Sequence, residues 1–157
     1  AAADPETMIS DLEAYVQRFT GSESADEARL ILSRMYLDTD RALEAARVAN
    51  EVETSRDKPV GFAAGILLAA AQEANEDSNA ALATLQNLAR GARFPFQQRQ
   101  AQASAARILV TLERVEEAVA IYSLIAEEAE KAEDLAEAGV YRLRLGELKG
   151  QLRQAAS

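Results

Sequence analysis

Apolar residues recur along this chain at i, i+4 and i+7, the spacing that places them on one face of a helix. Ala118, Tyr122 and Ile125 form one such stripe, inside the segment Glu113–Ile125. Ala81, Leu85 and Leu88 form another, Ala45, Ala49 and Val52 a third, and Met8, Leu12 and Tyr15 a fourth. Their first members are separated by 37 (8 to 45), 36 (45 to 81) and 37 (81 to 118) residues. The helices before them repeat in step. Leu32-Ser33 with Tyr36, Leu68-Ala69 with Gln72, and Ala105-Ala106 with Leu109 each lie 12 residues ahead of a stripe (33 to 45, 69 to 81, 106 to 118). A fixed period of this size points to stacked helix pairs that bury one another's apolar faces.

Boundary signals divide the chain into eight helices. Asp4-Pro5-Glu6 starts the first, with Asp as cap and Pro in the first turn, and Gly21 ends it. Ser24 with Glu27 has the form of a capping box for the second, which runs to about Leu37. The third spans about 40–55 and ends in Ser55-Arg56-Asp57-Lys58-Pro59; the fourth, about 59–75, is the most apolar. Ser78 is the expected cap of the fifth, which ends at Gly91. Pro95 opens a sixth to about Leu112, the seventh covers about 115–131, and the eighth runs from about Asp134 to Leu152, before a frayed tail from Gln154. No segment alternates as a strand does. The expectation is an all-α, single helical-repeat domain over 1–157, with units at about 24–58, 59–94 and 95–131 and flanking helices at 4–20 and 134–152. The stripe Tyr141, Leu145, Leu148, Leu152 should cap the array by packing on the helix of Tyr122 and Ile125. Arg142, Arg144, Lys149 and Arg153 should then be mainly exposed, with Leu143 left as an exposed apolar spot.

Composition narrows the chemistry. Hydrophobic residues make up 48% but aromatics only 5%, so alanine supplies much of the apolar surface and suits close helix contacts. A net charge of −9 argues against nucleic acid, which needs a basic face, and against anionic lipid. With no Cys and no His, the chain lacks a thiolate, the commonest general base and the usual ligands of zinc, copper and iron; no cofactor is expected. The longest apolar stretch, Val60–Ala71, is too short to span a bilayer, so no direct membrane insertion is expected. Ala1–Ala3 fits either the residue of a removed signal or anchor, or a cloning remnant. The acidic run Glu127, Glu128, Glu130, Glu133, Asp134, Glu137 has neither the spacing nor the turn glycine of an EF-hand and is expected to be a solvated helix end. Glu116 and Glu117 are neighbours on a helix, point about 100° apart, and cannot converge as an acid–base pair. Gly61 and Gly65 suit close helix approach.

The large–small pair with an aromatic in the first helix, then a small residue followed by larger apolar ones in the second, resembles the tetratricopeptide repeat (TPR) family. Leu32, Ser33, Tyr36, Ala45, Ala49 and Val52 fit one unit. Leu68, Ala69, Ala81, Leu85 and Leu88 fit a second, and Ala105, Ala106, Leu109, Ala118, Tyr122 and Ile125 a third. The match covers about residues 24–131, with the first helix similar to the second half of a degenerate unit. The turn glycines and inter-repeat prolines of the family are mostly missing, and Gln72 replaces the aromatic. The resemblance implies a TPR-like α-solenoid, a non-enzymatic scaffold presenting a concave groove to a peptide or protein partner. By register that groove takes Glu27, Leu30, Arg34 and Leu37, then Ala63, Ile66, Ala70 and Glu73, then Gln100, Ala103, Arg107 and Val110. Arginine suits a peptide carboxylate. The segments from Ser24 to Ala49, Asn79 to Gly91 and Val140 to Leu152 are also similar to bacterial envelope proteins: Tol–Pal coordinators, outer-membrane assembly lipoproteins and the ancillary Sec-translocon subunit. That similarity favours the periplasm or cell envelope over the cytoplasm. It also implies the alternative role of structural subunit in a membrane-associated complex.

Overall fold

The computed structural model describes residues 4–52 and 59–157; the expected end of the third helix, the run up to Lys58, and Ala1–Ala3 lie outside the described residues. Among the described residues the elements are α-helices: α1 (Pro5–Arg18), α2 (Glu23–Asp38), α3 (Ala42–Asn50), α4 (Pro59–Ala74), α5 (Ser78–Gly91), α6 (Pro95–Thr111), α7 (Val115–Lys131) and α8 (Leu135–Ala155). They form two compact units, residues 1–84 and 85–157, with the boundary inside α5.

Helix starts follow local capping chemistry and correct two expectations. Gly21 turns the chain at φ 86 and leaves Ser22 extended. Ser22 Oγ therefore accepts the Ala25 N–H at 3.1 Å, and Ser22, not Ser24, caps α2. At α5 the Asp77 carboxylate accepts the Ala80 N–H at 3.0 Å, so Asp77 is the cap and Ser78 already helical. At the other end, α8 continues to Ala155, through part of the tail expected to fray.

The missing turn glycines do not change the turn. Asp40, Glu76 and Glu113 stand at φ 58, 61 and 59, each just after a first helix. The amide of the next residue reaches back to Tyr36, Gln72 and Leu109 carbonyls at 2.8, 2.9 and 2.9 Å. The amides of Asp40, Glu76 and Glu113 close the inner bonds to Leu37, Glu73 and Val110. This is the Schellman ending usually made with glycine. Glu133, at φ 60 after α7, repeats it.

Within the first unit, α1 packs on α2, α2 on α3 and α4, and α3 on α4. Ile9, Leu32, Tyr36, Ala45, Val48 and Ala71 form its core cluster. Ser33 Oγ donates to the Ala45 carbonyl at 3.0 Å, so the small residues of the first and second helices meet directly. Gln72, in the aromatic position, accepts from Thr84 Oγ1 at 2.8 Å, a polar replacement for ring packing. The stripe expected on α1 is rotated. Ile9 and Val16 are buried, whereas Met8 and Tyr15 are 43% and 39% exposed. The reason is neighbour choice: α1 turns its buried face to α2, the helix after it.

Within the second unit α7 packs on both α6 and α8. Ala105, Ala106, Leu109, Ala118, Tyr122 and Ile125 are all buried. Tyr141, Leu145 and Leu148 of α8 are buried as expected, and the Tyr122 and Tyr141 rings lie 6.3 Å apart.

Candidate interaction face

On α2, α4 and α6 the residues that the register assigns to the groove are half-buried or exposed. On α2 these are Glu27 and Arg34, both exposed, with Leu30 and Leu37 half-buried. On α4 they are Ala63, Ile66, Ala70 and Glu73, all half-buried. The first unit holds both sets, and α2 contacts α4. In the second unit α6 carries Gln100 and Arg107, both exposed, and Ala103 and Val110, half-buried. The Ala103 carbonyl accepts from Tyr122 Oη at 3.3 Å, which ties the backbone of that edge to α7. Apolar residues without full cover, interleaved with charge, are the surface on which a peptide is held by both contact and hydrogen bonds.

Within the acidic run, Glu130, Asp134 and Glu137 have structural partners, while Glu127 and Glu133 are exposed. Asp134 caps α8 by accepting the Glu137 N–H at 3.0 Å. Glu130 takes Arg142 in a two-bond fork at 2.9 and 3.0 Å, which holds the Glu130 carboxyl below its ordinary range. Glu117 is likewise held low by the Arg114 guanidinium, at 2.6 and 2.7 Å. Among the described residues no group of three or more Asp or Glu side chains is placed to hold a metal ion.

Two buried arginines escaped sequence reading. Arg99, 5% exposed, donates from Nε and Nη2 to Glu137 Oε2 at 2.9 and 2.6 Å, while Tyr141 Oη donates to Glu137 Oε1 at 2.6 Å. This triad fastens α6 to α8, and burial together with Glu137 pushes the Tyr141 phenol up. Arg29 pairs with Asp26 at 3.0 Å and approaches Glu51 at 3.7 Å. Arg99 lies among Gln97, Gln98 and Gln100, and its partner Glu137, 38 residues away, has no local signature.

Comparison with solved structures returns a TPR-like helical-repeat fold. A Podosopora anserina crystal structure, described as a kinesin light chain with nearly identical TPR-like repeats, superposes with a TM-score of 0.69. The match covers 96% of this chain and 85% of that one at 21% identity. No family model and no curated protein matches the sequence. The likeness shows the fold: an all-α, TPR-like repeat chain, as its 36- and 37-residue period implied. Among the described residues no helix is long and apolar enough to cross a membrane.

Proposed function

We propose that this protein is a non-enzymatic interaction scaffold that engages a peptide or protein segment through first helices, α2 and α4 in the first unit and α6 in the second. The observation that carries the reading is that polar and apolar residues at the same register on three first helices stay half-buried or exposed. TPR-like repeats typically bind protein partners, and the fold agrees. Arg34 and Arg107 suit carboxylates, Glu27 and Glu73 suit basic groups, and Leu30, Leu37, Ile66 and Val110 supply apolar contact. In this reading the three units, 24–58, 59–94 and 95–131, are repeats of one array.

A displayed library of random peptides tests this. Peptides selected on the parent should lose at least tenfold in affinity when Arg34→Glu, Glu73→Lys and Arg107→Glu are combined. They should keep it when Glu116→Lys is placed on the exposed side of α7. Equal binding to both variants would refute the assignment.

A second reading, structural subunit of a larger complex, draws on large apolar residues outside the candidate face. Leu135, Val140 and Leu143 of α8 are 73%, 65% and 68% exposed.

A further inference from the structure

The two units differ in charge. Residues 1–84 carry 16 Asp and Glu against 7 Lys and Arg, and residues 85–157 carry 10 against 10. The first unit therefore holds the whole net charge of −9. Most of its described bases are already engaged inside it. Arg29 pairs with Asp26, Arg41 with Glu44 and Glu6, and Arg47 with Glu51, while Arg18 lies over the Phe19 ring.

Part of that charge edges an apolar strip. The helices α2 and α4 contact each other, and Tyr36 and Ala71, each in the last turn of its helix, share one core cluster. Leu37 packs against the same cluster, so the two helices end side by side. Leu30, Leu37, Ile66 and Ala70 are half-buried on their groove positions. At about 100° per residue, Glu27, Arg34 and Asp38 fall on one line along α2, and all three are exposed. α4 adds Glu73, half-buried, and no base.

The carboxylates belong to α2 and not to the repeat. A step of 73 carries Glu27, Arg34 and Asp38 to Gln100, Arg107 and Thr111 on α6, also exposed. The base recurs and the two acids do not. Neither α2 nor α4 has a basic residue in its last turn. The partial negative charge of a helix C-terminus favours a base there; instead Asp38, Asp40 and Glu76 stand exposed at these ends. Arg41, the base next in sequence, is held over the Tyr36 ring and by Glu44.

An apolar strip edged by carboxylates is complementary to a segment with one apolar side and basic margins. We propose that α2 and α4 hold a basic amphipathic segment of a partner protein. Its apolar side lies on Leu30, Leu37 and Ile66, its Lys and Arg side chains meet Glu27 and Asp38, and an acidic residue faces Arg34. The proposal rests on first helices being the partner face and adds the chemistry of the partner. The field of the first unit steers such a segment inwards, so association is fast at low salt and slows as salt rises.

Peptides selected from a displayed random library on the whole chain test this. They should carry more Lys and Arg than Asp and Glu. Their affinity should fall about tenfold or more for Glu27→Lys with Asp38→Lys, and less steeply for Glu27→Gln with Asp38→Asn. It should hold for Glu116→Lys with Glu127→Lys, the same change in net charge on exposed sites of α7. Circular dichroism checks that each variant keeps its helices. Selected peptides without a basic excess overturn this inference and leave the scaffold reading standing. Equal loss in the α2 and α7 lysine variants also overturns it, since overall charge and not α2 would be the cause. A parent that selects no peptide overturns both.

Discussion

At the scale of residues, the fold rests on small side chains at contact points and on four strained turns. Ala118 is fully buried, at the register position where Ala45 meets Ser33. Ala118→Leu should overpack that contact and cost roughly 1–3 kcal/mol, read as a lower melting temperature; melting like the parent would contradict the register. Glu113 holds a left-handed conformation at φ 59, which costs a side-chain-bearing residue about 1–2 kcal/mol. Part of the gain from glycine is lost to its freedom in the unfolded chain, so Glu113→Gly should stabilise by about 0.5–1 kcal/mol; a lower midpoint in urea would refute this. Tyr36 tests the buried polar contacts. Burial first, then its hydrogen bond to Glu13, raises its phenol from 10.0 to about 12. The folded state thus holds a proton that the unfolded chain releases first, so stability falls as pH rises from about 10 to 12. Tyr36→Phe should make that fall shallower in urea midpoints measured across the window, and an unchanged slope would contradict the linkage.

At the scale of elements, period and register were legible because alanine and serine recur wherever two helices touch. Ser33, Ala69 and Ala106 are each at most 3% exposed, as are Ala45, Ala81 and Ala118. Two things were not legible for physical reasons. Ser22 and Ser24 are equal candidates as caps until Gly21 turns the chain and leaves Ser22 extended. The α1 stripe followed the period correctly, but the period gives a face and not the neighbour that covers it. The Arg99–Glu137–Tyr141 triad, in which Arg99 and Glu137 lie 38 residues apart, was also beyond local pattern. It bears on α8 as an end helix. Removing Glu137 leaves the Arg99 charge buried without its partner, so Glu137→Ala should cost towards the lower end of about 3–5 kcal/mol. Amide exchange should then quicken over 141–152 before it does in α2 and α3. Uniform quickening would show that the triad does not fasten this helix locally.

At the scale of the whole molecule, two compact units carry a repeat pattern that runs through both. Of the positions that the register assigns to a partner, Glu27, Arg34, Gln100 and Arg107 are exposed, whereas Leu30, Leu37, Ile66, Glu73 and Val110 are half-buried. Their occupant was not legible, because a side chain that packs on nothing inside the chain carries no record of what it meets outside. A photo-crosslinking amino acid placed in turn at Arg34, Gln100 and Arg107 on first helices, and at Ala83 and Ala120 on second helices, tests the scaffold most directly. Ala83 and Ala120 are also exposed to solvent. Irradiated with extract from the native source, the first set should yield a shared crosslinked product that the second set lacks. Products at Ala83 and Ala120 alone, or the same products at all five sites, would contradict a partner face built from the first helices.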